Sequence, residues 1–289
     1  MILQDLKKKK LIAPPSFLID NTHYLTVMGS EAYGVSQRGS DIDLYGFTIP
    51  HKTTIFPHLA GHIQGFGQTP NRFDQWQQHH IKDGEKEYDI TVYNIVKYFQ
   101  LCMENNPNMI DSLFTPRTAV IHMTQLGQYV RDNRKLFLHK GSKFKFSGYA
   151  YSQMHKIRTK KADPGTKRAQ DMAEHGYSLK FAYHTVRLLL EGEQILTEGD
   201  LDLTRNKELL KSIRRGEWSL AEVEEFFKQK EHALDVAYTN SKLPHSPRIK
   251  EIKQVLLDAL EMHFGTIEKA ETVNQELIRE LKDLVKKYE

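Results

Sequence analysis

Three short runs in the first hundred residues alternate or cluster apolar positions in the manner of strands. Residues 23–29 (HYLTVMG) form a β-branched and aromatic run that ends in Gly-Ser, and residues 41–49 (DIDLYGFTI) begin with strict polar–apolar alternation. Residues 87–93 (EYDITVY) alternate in the same way, placing Glu87, Asp89 and Thr91 on one face and Tyr88, Ile90 and Val92 on the other. Between the second and third runs lie Pro50, Pro57, Gly61, Gly65, Gly67 and Pro70, a loop-rich stretch long enough for a functional lid. A helix is expected over residues 94–104, stopped by Asn105-Asn106-Pro107.

From residue 150 onward the period changes to that of helices. Apolar residues recur at helical spacing over 152–161, 170–191, 219–240, 246–264 and 266–288, punctuated by Pro164-Gly165, Gly192, Gly199 and Leu243-Pro244. Residues 140–148 (KGSKFKFSG) read as the seam. The expected fold class is α+β: a small mixed sheet within a first domain over 1–139, then a helical domain over 140–289 that closes the active-site cleft.

Composition changes this picture little. The 289 residues are 39% hydrophobic and 27% charged, which excludes collagen-like and disordered classes. No run approaches the roughly 20 apolar residues of a membrane span. The positive run Lys7 to Lys10 follows a short apolar piece, the reverse of a signal peptide and the pattern of a solvated helix face, so the protein is expected to be cytoplasmic. The lone Cys102 excludes internal disulfides and any multi-Cys zinc site. A formal net charge of +4 does not by itself mark a nucleic-acid binder, although it permits a local basic surface.

The chemistry concentrates in residues 29–47, GSEAYGVSQRGSDIDLYGF. A strand ends at Gly29, where the missing Cβ lets backbone approach a ligand, and Ser30 offers a hydroxyl and an N–H suited to phosphate. Asp41 and Asp43, two apart on a strand, project from one face. Carboxylates that close repel unless a cation lies between them, and hard oxygen ligands favour Mg²⁺ or Mn²⁺. Asp89 is the best third carboxylate, with Glu87 and Asp83 as alternatives. Arg38 either contacts phosphate or is charged loop surface, and Ser40 either bonds a ligand or caps its own turn. Lys180, His184 and Arg187 fall at i, i+4 and i+7 on one helix, a polar stripe that would grip a triphosphate if it faces the cleft. Lys207, Lys211, Arg214 and Arg215 form a basic cluster read chiefly as solvated surface, with RNA phosphates as the alternative. The pairs His58/His62 and His79/His80 lack the acidic or thiol partners of a zinc site.

These motifs resemble the DNA polymerase β-like nucleotidyltransferase superfamily, whose signature is Gly-Ser or Gly-Gly, a spacer, Asp-hydrophobic-Asp on a strand, and a third acidic residue on a later strand. The chain is similar in particular to predicted nucleotidyltransferases of bacteria and phages, through SEAYGVSQRGSDIDLYGF, YDITVYNIVKYFQLCMENNPNMIDSLF, GYSLKFAYHTVRLLLEGEQILTEGDLDL and GEWSL, about two thirds of the chain. The resemblance implies magnesium-dependent transfer of a nucleoside monophosphate from an NTP to a hydroxyl acceptor. It implies that Gly29 and Ser30 hold nucleotide phosphates and that Asp41, Asp43 and Asp89 hold metal. An RNA 3′ end is the favoured acceptor, with a protein hydroxyl or small molecule as competitors. A non-catalytic nucleotide sensor using the same cleft is the alternative function. The apolar stripe of residues 266–288 is expected to serve packing or homo-oligomerisation.

Overall fold

The computed structural model describes residues 1–36, 41–56 and 72–265. Arg38, Ser40, His58, His62 and the helix expected over 266–288 lie outside them. Five strands are described: β1 (Thr22–Val27), β2 (Ile42–Thr48), β3 (Gln75–Asp83), β4 (Lys86–Asn94) and β5 (Val120–Met123). They form one mixed sheet in the order β3-β4-β2-β1-β5, with β2 and β4 parallel and the other neighbours antiparallel.

The two faces of the sheet have different partners. Leu25, Val27, Leu44, Ile90 and Val92 face a small core closed by Leu3 and Leu6 of α1 (Ile2–Lys8) together with Ile12 and Leu18. Tyr24 and Phe47, with Tyr45 and Tyr93 beside them, face the larger helical body. Period-two alternation therefore puts Asp43 and Asp89 on the helical side, because each lies one residue from an apolar neighbour of the other face.

Further helices are α2 (Gly29–Ala32), α3 (Lys52–Ile55), α4 (Ile95–Met103), α5 (Pro107–Phe114), α6 (Gln125–Asp132), α7 (Ser142–Thr159), α8 (Lys167–His175), α9 (Leu179–Glu198), α10 (Lys207–Arg214), α11 (Leu220–Asn240) and α12 (Ile249–Phe264). The α+β class is as expected. The helical body is organised around α9, of whose 20 residues 14 are buried, and α7, α10 and α11 pack against it. One apolar cluster runs from Tyr24 and Phe47 of the sheet through Phe146 and Val186 to Leu260, crossing residue 140 without interruption.

Three expected features change. Within the stretch 140–148, residues 142–148 are the first turns of α7, which begins ten residues early because Phe146, Ala150, Met154 and Ile157 form one buried face. The helix expected over 170–191 is two helices, separated at Gly176, whose φ of +81° ends α8 in the left-handed conformation that glycine adopts without penalty. The long loop after the second strand contains β3, an edge strand with only Ile81 buried and so little apolar signal to read. Asn94 caps α4 and Asn106 caps α5, with Pro107 in its first turn, so the expected helix stop also starts the next helix.

Candidate active site

The chain enters the site at the end of β1. The Met28 N–H donates to the Asp43 carbonyl oxygen at 2.7 Å, closing the β1–β2 ladder, and Gly29 then turns with φ +65°. A Cβ at Gly29 would collide with Oδ2 of Asp43, so both the backbone angle and the space require glycine. Ser30 follows in the single turn of α2.

Asp41 stands exposed just before β2, and Asp43 is half-buried on it. Across the parallel β2–β4 ladder Asp43 is in direct register with Asp89. Burial first, then the charges of Asp89 and Asp41, push the Asp43 carboxyl up to about 6, against the pull of Lys180 and His79. The sequence left three carboxylates as candidates for the third position, and the geometry separates them. Asp83 lies at the far end of the β3–β4 hairpin and pairs with Lys9 at 2.6 Å. Glu87 accepts from His80 Nδ1 at 2.7 Å. Asp89 alone of the three stands opposite Asp43 and raises its pKa.

A bulge in β3 between Gln78 and Ile81 brings two histidines to Asp89. The His80 N–H donates to Asp89 Oδ1 at 2.8 Å, and His79 Nδ1 stands 3.6 Å from Oδ2. His80 adopts φ +56° to do so, a conformation uncommon for a residue with a Cβ. These histidines, set aside as zinc ligands, instead hold a carboxylate.

Gly29, Ser30, Asp41 and Asp43 form one wall of a cleft of about 560 Å³. The opposite wall comes from α8, α9 and α10, with Lys167, Arg168, Lys180, His184 and Arg214 supplying positive or potentially positive groups. Lys180 is exposed in the first turn of α9, while His184 sits one turn deeper, where burial and the cations Arg187, Lys180, Arg214 and Lys156 keep its imidazole neutral. Arg168 lies over the Phe181 ring at 5.0 Å, and Arg214 lies over Tyr183 at 5.5 Å while donating to the Val35 carbonyl at 2.9 Å.

Arg187 does not join this wall, contrary to the single stripe expected with Lys180 and His184. Seven residues along α9 is about 10 Å of rise, and over that length the helix passes from the cleft mouth into the interior. There Arg187 Nη1 donates to Asp111 Oδ2 at 2.5 Å, to Glu191 Oε2 at 2.8 Å and to the Tyr33 hydroxyl at 2.8 Å. Tyr33 caps α2, so Arg187 fastens the Gly29–Ser30 turn to α9 from behind.

Sequence reasoning missed most of the basic wall. Lys167 and Arg168 follow a Pro-Gly break that reads as a loop, as does Asp171, an acid lining the same wall, and Arg214 belonged to a cluster read chiefly as surface. The available signal was Thr166, which caps α8 and so begins a helix at the cleft.

A mixed sheet with in-register carboxylates beside a Gly-Ser turn, faced by a helical body with a basic wall, is the plan of a polymerase β-like nucleotidyltransferase. The family comparison narrows the assignment. Residues 3–287 match the RNA repair pathway DNA polymerase beta family, RlaP, and the chain belongs to that family. Among solved structures, a nucleotidyltransferase-like protein from Exiguobacterium sibiricum is similar at TM-score 0.30 and 9% identity, over 90% of this chain and 78% of that one. Comparison with curated proteins finds no match. Among the described residues, no helix is long and apolar enough to cross a membrane.

Proposed function

We propose that the protein transfers a nucleoside monophosphate from an NTP to a hydroxyl acceptor, an RNA 3′ end, with a divalent cation held by Asp41, Asp43 and Asp89. The observation that carries this reading is the direct register of Asp43 with Asp89 beside the Gly29–Ser30 turn. Like charges converge there on a half-buried oxygen, next to a wall of cations that suits phosphate.

Among the described residues no three His, Cys, Asp or Glu side chains are gathered tightly enough to hold a metal ion as they stand. The donor chemistry nonetheless fits: all three groups are hard carboxylate oxygens, and the repulsion at Asp43 is the kind that Mg²⁺ or Mn²⁺ relieves. When bound, such an ion neutralises triphosphate charge and lowers the pKa of an attacking hydroxyl.

The remaining work falls to the chain. Ser30 offers its hydroxyl and N–H to the leaving phosphates, backed by Lys180, Arg168 and Arg214 across the cleft. Arg38 and Ser40 are assigned to nucleotide contact on sequence alone. The acceptor oxygen attacks the α-phosphorus, the bond to the α–β bridging oxygen breaks, and pyrophosphate leaves. Asp89 accepts the hydroxyl proton, with His79 and His80 fixing its orientation. His184, kept neutral, donates a hydrogen bond without adding charge. Positioning and charge complementarity supply most of the acceleration.

The test is incubation with Mg²⁺ or Mn²⁺, each α-labelled NTP, and total RNA, extract protein or no acceptor. Label is expected in RNA and lost in the Asp41→Ala/Asp43→Ala double variant. NTP binding with no transfer and no pyrophosphate release would replace this reading with a nucleotide sensor.

A further inference from the structure

The cleft wall includes Asp41 and Asp43 but not Asp89, which lies one strand farther toward the sheet edge. On that side the helical-facing surface of the sheet continues as Tyr45, two residues after Asp43, and Tyr93, four after Asp89. Their ring centroids are 6.3 Å apart, edge to face, and both rings are half-buried. Tyr45 and Tyr93 pack against the apolar cluster that holds Phe146 and Ala150 of α7, and Tyr149, the residue before Ala150, is 40% exposed and lies near both phenols. The row of tyrosines thus adjoins the carboxylates. The outer border is β3, where exposed Gln75 stands opposite Tyr93 and exposed Gln77 opposite Thr91 on the same face. Their side-chain amides bond to each other at 2.9 Å.

In-line phosphoryl transfer needs the attacking oxygen and the leaving group on opposite sides of the phosphorus. If the triphosphate lies along Ser30, Lys180 and Arg214, the acceptor must come from the side of Asp89, where these tyrosines and amides are. We propose that the surface formed by Tyr45, Tyr93 and Tyr149, edged by Gln75 and Gln77, is an acceptor subsite for the unpaired terminal nucleotides of a single-stranded RNA. This rests on the transfer reading above and names where its acceptor binds. Aromatic rings with an accessible face stack on bases of any sequence, Tyr149 offering the most exposed one here, and side-chain amides reach base edges. Lys156, two turns along α7 from Tyr149, has its charge near His184 and so adds a cation between the tyrosines' helix and the cleft. A peptide acceptor would call for apolar side-chain pockets, and this surface offers flat rings and amides.

The test uses the full chain and a short fluorescein-labelled single-stranded RNA with a free 3′-hydroxyl, read by anisotropy and, with labelled NTP, by transfer kinetics. Tyr149→Ala is expected to raise the RNA Kd and the acceptor KM roughly ten-fold or more. Tyr149→Phe, which keeps the ring, should restore both, and NTP binding should be unchanged in either variant. RNA affinity indifferent to Tyr149→Ala overturns the subsite while leaving transfer to RNA standing. Label that moves only to protein or a small molecule also overturns it. Tyr149-dependent RNA binding by a protein that transfers nothing supports the subsite and removes the transfer reading instead.

Discussion

Two clusters of charge, one at the cleft and one buried behind the Gly-Ser turn, are assembled on opposite principles. Behind the Gly-Ser turn, Arg187 is enclosed with Asp111, Glu191 and Tyr33, all buried and joined by short hydrogen bonds. At the cleft, Asp43 faces Asp89 across the ladder with Asp41 two residues before it, and among the described residues Lys180 and His79 pull on Asp43 from a distance. The first cluster supplies its own counter-charge. Burial raises both of its carboxyls, and Arg187, which keeps its charge, pulls them back down. The second leaves its repulsion for a ligand to relieve. Charge that is satisfied inside the chain belongs to the fold, and charge left unsatisfied at a cleft belongs to the function.

Removing a member of each cluster should separate the two most sharply. Asp43→Asn is expected to lower transfer about 10³-fold or more, since several kcal/mol of transition-state charge stabilisation pass through this position. Its thermal stability in EDTA should equal or exceed that of the parent, because a repelling carboxylate is gone. Arg187→Met should do the reverse in kind, costing about 3–5 kcal/mol in urea unfolding by leaving two buried carboxyls without their cation. If Asp43→Asn lost as much stability as Arg187→Met, the distinction between the clusters would fail.

The same contrast explains what could be read from sequence. Strands β2 and β4 were legible because each alternates against a core, and β1 as a run of β-branched and aromatic residues; the alternation put Asp43 and Asp89 each on the polar face of its own strand. The direct register between them depends on the parallel β2–β4 pairing of distant segments, which no local pattern encodes. Arg187 was misread for a related reason. Its helical spacing from Lys180 is real, but whether the stripe faces solvent or Tyr33 and Asp111 is decided by residues 154 and 76 positions away. β3 hid because an edge strand buries almost nothing, and α10 because the apolar face of Leu210 and Ile213 is short beside its four basic neighbours.

Gly29, at the start of the turn that Tyr33 ends and against Asp43, sharpens the comparison at one atom. Gly29→Ala adds a methyl that meets Asp43 Oδ2 and forces a φ of +65° on a residue that resists it by about 1–2 kcal/mol. The expected result is a stability loss of about 2 kcal/mol together with a fall in transfer of roughly 10²-fold, because the displaced group is the carboxylate itself. Urea unfolding and single-turnover rates read the two effects. Normal turnover in a destabilised variant would mean that the Asp43 position does not govern the chemistry.

A third arrangement gives the smallest effect: titratable groups packed together and kept neutral. His23 Nε2 lies 2.9 Å from His263 Nδ1 at the end of α12, with Thr124 on the other ring nitrogen. Burial, then His263 and His122, lower the His23 pKa to about 4, and His263 itself is lowered by burial, His51 and Lys52. The unfolded chain, with His23 near 6.5, binds protons that the folded state refuses, so stability is intact above pH 6.5 and falls as pH drops toward 4. For His23 alone the full shift would amount to about 3 kcal/mol, and solvent around a half-buried ring reduces that to about 1–2 kcal/mol. His23→Gln should therefore flatten the urea-unfolding profile between pH 6.5 and 4 relative to the parent. Parallel profiles would show that α12 stays docked on the sheet whether or not this pair is charged, and that neutrality here is a consequence of packing which the fold can forgo.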